Sequence, residues 1–204
     1  MRLGAFTVVD PDIGRPDGDV DRVTEVVRLA EEAEAAGLRS LWVAVQRREA
    51  VPYVARRGLS IALIPYATVS SPEELAAVIA DYRRALPAGT VGSVAAAVHL
   101  YGGERLDHAR TAFHRYVQSR FAAGSTFLER KAQERPEHAT PEAMERADLA
   151  IFGEPTEVVR RLERFAAAGV DDLLGIFDFG GLGPDEVAGS VRALGAAWAD
   201  RSAR

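Results

Sequence analysis

Five short runs almost free of charge recur along the chain: LGAFTVV at 3–9, SLWVAV at 40–45, and residues 59–67, 91–101 and 172–177. The segments between them carry apolar residues at helical spacing, as in Val23, Val26, Val27, Ala30 and Ala33 before the helix stop Gly37. Strand and helix in strict alternation are the signature of an α/β protein with a parallel sheet and right-handed crossovers. The spacing predicts helices over 19–36, 72–86, 104–121, 156–168 and 184–199. Ser70-Ser71-Pro72-Glu73-Glu74 supplies a capping hydroxyl, a first-turn proline and early acids for the second of these. Residues 46–58 read as a basic loop or short helix. Residues 122–150 read as charged and irregular, because Pro136 and Pro141 must break any long helix. Five strands and at least five helices are therefore expected, in one domain.

A complete eight-stranded barrel typically needs about 250 residues, and this chain has 204. Any barrel reading must lose strands. The basic and acidic residues, 25 against 30, are interspersed and leave a net charge of -5, which offers no extended positive field for a nucleic acid. No window approaches the roughly 20 apolar residues of a membrane helix. With no cysteine, disulfides and thiolate chemistry are excluded. MRLGAFTVVDPD lacks the charged start and long apolar run of a signal peptide, so a cytoplasmic protein is expected.

In parallel α/β proteins ligands sit beyond the carboxyl ends of the strands, which draws attention to Asp10, Gln46, Tyr66, His99, Tyr101 and Asp178. His99, after VAAAV, is a candidate proton donor or acceptor, weighed against a hydrogen-bonded core histidine. Asp178 stands between Phe177 and Phe179, ahead of Gly180-Gly181, where an apolar setting would favour a protonated carboxyl. Its duller role is to cap the turn. Asp10, Gln46, Trp42, Tyr66, Tyr101 and Phe179 are the candidate substrate contacts, with turn formation or core packing as the competing reading for Asp10 and Tyr66. Arg47, Arg48, Arg56 and Arg57 match an anion in type but read more simply as a solvated loop. GGLG lacks the spacing of a dinucleotide fingerprint, and His108 and His114 are not on one helix face, so no metal site is expected.

RLAEEAEAAGLRSLWVAV at 28–45 resembles the first helix and second strand of the bacterial-luciferase-like monooxygenases. IFGEPTEVVRRLERFAAAGVDDLLGIFDFGGL at 151–182 resembles the last barrel unit of that superfamily, in its natural-product-cluster branch. Between them, SSPEELAAVIADYRRAL with Tyr82-Arg83, and VAAAVHLYGG with His99, are similar to that branch's penultimate helix and the strand after it. The resemblance covers 28–45 and 70–200 and implies a shortened, incomplete TIM-barrel-like sheet. It also implies a flavin-linked oxidoreductase of secondary metabolism that uses reduced FMN on a small organic substrate. The family's middle strands, which carry much of its flavin phosphate site, have no counterpart here. A valine stands where the family commonly places an acid after the Trp, and Arg47 where it places a histidine. Two other functions are therefore kept open: a flavin-independent cyclase or isomerase with His99 and Asp178 as acid and base, and a non-catalytic partner protein. A homodimer is expected, with 122–150 as lid or interface.

Overall fold

The computed structural model describes residues 5–8, 41–45 and 48–202. Asp10, Gln46, Arg47 and the helix expected over 19–36 lie outside them.

Six strands form one all-parallel sheet. β1 (Ala5–Val8), β2 (Leu41–Val45) and β3 (Ser60–Leu63) lie side by side, and β3 then pairs with the first half of β4 (Val94–Gly102). β4 is the nine-residue spine of the sheet. Its Ala95 and Ala96 are paired both to β3 and to β6 (Asp172–Ile176), which must therefore occupy opposite edges. His99 is paired both to β6 and to β5 (Ala150–Gly153), so β5 continues along the β3 edge. β1 and β6 are outer strands, and among the described residues no pairing joins them into a closed barrel.

The strand count corrects the expectation of five. β5 was missed because it has only four residues, AIFG, set between polar segments. The long run at 59–67 is also cut: β3 stops at Leu63, and Pro65 opens a four-residue helix α2 (Pro65–Thr68), since proline has no N–H to give a ladder. The basic stretch forms a 3-10 turn and α1 (Val51–Ala55).

α3 (Leu75–Ala85) follows a 3-10 turn at Pro72–Glu74. No side-chain hydrogen bond caps it from Ser71; Glu74 Oε2 instead accepts from the Ser70 backbone N–H at 3.1 Å. α4 (Leu106–Ala122) follows β4. Residues 122–150, expected to be irregular, hold two helices divided where the prolines fall. These are α5 (Thr126–Glu134), a 3-10 turn beginning at Pro136, and α6 (Pro141–Arg146), with Pro141 in its first turn and Thr140 capping the Ala143 N–H. Proline breaks a helix from within yet starts the next one well.

α7 (Pro155–Ala167) ends at Gly169, whose φ of 96° suits glycine. The last helix, α8 (Pro184–Ser202), closes the chain. α7 is tied to the segment before it by Asp148, which is buried with φ 60° and bonds to both Arg161 and Arg164. An aspartate tolerates that left-handed backbone better than a branched residue would.

β6 departs from expectation in burial. Its run looks like a fully covered strand, but its residues are exposed or half-exposed, and Leu174 keeps 39% of its surface. β4, by contrast, is buried at every position but Ala97. The core lies around β4, between α3, α4 and α7.

Candidate functional site

β4 places His99 where the sheet meets α4, and the side chain is fully enclosed, with 0% exposure. Four aromatic rings surround it. The centroid of Tyr116 lies 4.6 Å away, Phe113 5.1 Å, Tyr66 5.3 Å and Phe179 5.4 Å. Phe113 and Tyr116 are three residues apart on α4 and so share a helix face. Tyr66 comes from α2 and Phe179 from the turn after β6. That turn needs its glycine: Gly180 has φ 58°, and a Cβ there would fall 1.7 Å from the Ala112 carbonyl oxygen. Close approach to α4 is what seats Phe179 over the imidazole.

Neither imidazole nitrogen has a hydrogen-bond partner among the described residues. This corrects the reading of a hydrogen-bonded core histidine. Burial disfavours the charged ring and pushes its pKa down from 6.5 to about 3, so His99 is neutral across the physiological range. A neutral imidazole retains one N–H and one free lone pair. Two of the surrounding rings carry hydroxyls that pair with each other, Tyr66 Oη and Tyr116 Oη, 3.1 Å apart. Burial, with Tyr116 as a further cause, raises the Tyr66 pKa far above its usual value.

The other residues singled out in the sequence are distributed differently. Asp178 is exposed, so the apolar setting expected for it is not formed, and it makes no hydrogen bond to His99. Its neighbour Phe179 takes the inward position instead. Trp42 lies in β2, its backbone paired with Phe6 and Ser60. Tyr101, two residues beyond His99 on the same face of β4, donates to Glu186 Oε1 of α8 at 3.3 Å. Glu186 also meets His108 Nδ1 at 3.0 Å and Arg105 at 3.4 Å. Burial acts to raise the Glu186 pKa, but these three partners outweigh it and leave it below the usual value. Arg56 and Arg57 are exposed, Arg57 lying 3.7 Å above the Tyr53 ring.

Sequence reasoning missed Phe113, Tyr116, Glu186 and the buried Lys131. Of these only the Phe113/Tyr116 spacing carried a local signal. Lys131 reaches from α5 to α2, where Nζ donates to the carbonyls of Tyr66 and Val69 at 2.7 Å each.

No family model matches the sequence, and no curated protein does. Solved structures do resemble the fold. One is that of apo-MsnO8, with a TM-score of 0.56 and 20% identity over 94% of this chain and 57% of that one. Another is the monooxygenase RslO1 from Streptomyces bottropensis, with a TM-score of 0.54 and 18% identity over 81% of this chain and 49% of that one. The chain thus spans about half the length of these structures, and the likeness is one of fold.

Proposed function

We propose that the chain is a shortened luciferase-like, flavin-linked monooxygenase acting on a small organic intermediate of secondary metabolism in the cytoplasm. The observation that carries this reading is the imidazole of His99, without a hydrogen-bond partner among the described residues and enclosed by aromatic rings, in a fold similar to that of a monooxygenase. A buried polar group without a partner calls for a functional or ligand-based explanation. Tyr66, Tyr116 and Phe179 offer aromatic faces and His99 one polar contact, but these rings already pack within 5.4 Å of the imidazole and enclose it, so a flavin ring would enter only by displacing one of them. Arg120, one turn beyond Tyr116 on α4, is a cation whose charge acts on Tyr66 and whose buried Nε has no hydrogen-bond partner among the described residues.

Reduced flavin, when bound, would supply the electrons that activate dioxygen. The chain's part is to exclude water and to manage a proton. His99, held neutral by desolvation, accepts a proton rather than carrying one in, and regains an ordinary pKa only as the chamber opens to a polar ligand. Asp178 is proposed as a second acid–base group, Asp10, Trp42, Gln46 and Tyr101 as substrate contacts together with Tyr66 and Phe179, and residues 122–150 as a lid or homodimer interface. Anaerobic titration with oxidised and with reduced FMN, followed by fluorescence and melting temperature, tests the reading. Saturable binding of reduced FMN that weakens in His99→Leu supports it; no affinity for either form rejects it.

One observation favours a second reading, a flavin-independent cyclase or isomerase. The base enclosed by these rings needs no cofactor to take a proton, and Tyr66 and Tyr116 offer hydroxyl groups beside it. Turnover without flavin, abolished in His99→Leu, would distinguish it.

A further inference from the structure

On the carbonyl side of Tyr66 lies a cavity of about 350 Å³, within the size range of small-ligand sites. Its walls come from the end of α2 and the residues after it, from α3 and from α5, with Arg48 of the 3-10 turn before α1. Four cations line it, Arg48, Arg130, Lys131 and Arg135, against two carboxylates, Glu74 and Glu134. A surplus of two positive charges is thus gathered at one cavity of a chain whose net charge is -5.

The donor inventory is not exhausted by the bonds already made. Lys131 is buried, and its two carbonyl bonds use two of its three N–H groups. Arg135 spends one nitrogen on Ser70 Oγ at 2.7 Å and Glu74 at 3.4 Å. Arg48 gives one bond, at 3.0 Å, to Asp81, an acid it shares with Arg84. A guanidinium has five N–H groups in a fork that matches an oxyanion. Burial also lowers the Lys131 pKa to about 8, partly opposed by Glu74, so a second anion beside it would relieve a desolvation cost already present. The lining residues include no aromatic side chain, so a flavin ring would find nothing to stack on.

We infer that this cavity binds the oxyanion group of a small organic molecule, a phosphate or a carboxylate, held by Lys131, Arg130 and Arg135 with Arg48 at the rim. The inference does not depend on the flavin reading. The site is distinct from the His99 chamber but is joined to it through Tyr66, whose carbonyl faces Lys131 and whose ring faces His99.

The test is a titration of the full chain with sodium phosphate, and separately with sodium acetate, at constant ionic strength held by chloride. Saturable binding with a dissociation constant below about 10 mM is expected for one of the two. A tenfold excess over that constant should raise the melting temperature by about 3–6 °C. Whichever anion binds more tightly identifies the group. Arg130→Gln should weaken binding about tenfold or more, while Arg192→Gln, an equal change of charge at an exposed position of α8 outside the cavity, should leave it within about twofold. Failure of both anions to saturate in the wild-type chain overturns the proposal, as does equal weakening by Arg130→Gln and Arg192→Gln.

Discussion

His99 and Lys131 are both buried bases that touch Tyr66, and the chain treats them oppositely. His99 meets rings on four sides and has no hydrogen-bond partner; Lys131 is given two backbone carbonyls. Burial lowers both pKa values, to about 3 and about 8, but only one of the two crosses neutrality. The lesson is that burial alone does not decide charge. An aromatic wall leaves the imidazole neutral and chemically idle until something polar reaches it. Carbonyls at the end of a short helix let the ammonium stay charged while it holds that helix in place.

The largest expected effect is on acid stability. The folded pKa of His99 is about 3 and the unfolded value 6.5, so between them the unfolded chain binds the extra proton. Stability from this group is complete above pH 6.5 and falls as the pH drops toward 3, by as much as about 5 kcal/mol. Urea denaturation across that range should show a steep slope in the wild type and a shallower one in His99→Leu. Equal slopes would mean that the imidazole is protonated in place.

Lys131→Met should cost about 2–3 kcal/mol at pH 7, because the Tyr66 and Val69 carbonyls lose their donor. Its pH slope has the same sign as that of His99 but lies in the alkaline range. The unfolded lysine keeps its proton to about 10.5 and the folded one to about 8, so the wild type should gain on the variant as the pH rises through that window. An unchanged difference there would place the amine in water, and a loss would mean that folding raises its pKa. His99→Leu, by contrast, should stabilise the chain at pH 7 by about 1–2 kcal/mol, since it removes an unpartnered polar group at similar volume. Destabilisation of that size would reveal a hydrogen bond to the ring.

The parallel, alternating order was legible in the sequence because uncharged runs and helical periods are local patterns. His99, Tyr66 and Phe179 were each visible as residues at or after strand ends, and the fold gathers these three. What could not be read was the other wall. Phe113 and Tyr116 looked like ordinary core positions of an amphipathic helix, and nothing local says which strand that face will meet. Glu186 finds His108 across 78 positions, and Lys131 finds Tyr66 across 65; such pairings belong to topology, not to spacing. β6 misled for a related reason, since an apolar run shows that a strand forms but not whether it has a neighbour on both edges. Asp178 was misplaced by alternation, because Phe179 takes the inward side of the turn.

The smallest expected effect asks whether the two sides of Tyr66 are one unit. Tyr116→Phe removes the hydroxyl that pairs with Tyr66 at 3.1 Å but keeps the ring beside His99, and should cost about 0.5–1.5 kcal/mol. Lys131 holds the same four-residue helix from the opposite side through the Tyr66 carbonyl. If α2 moves as a rigid piece, losing one anchor lets it shift and weakens the other, so the two substitutions should not add. A double-mutant cycle with Lys131→Met should then give a coupling of more than about 0.5 kcal/mol, above the scatter of independent sites. Additivity within that scatter would mean that the charged cavity and the aromatic chamber meet at Tyr66 without influencing each other, and the contrast between them would be one of two separate sites.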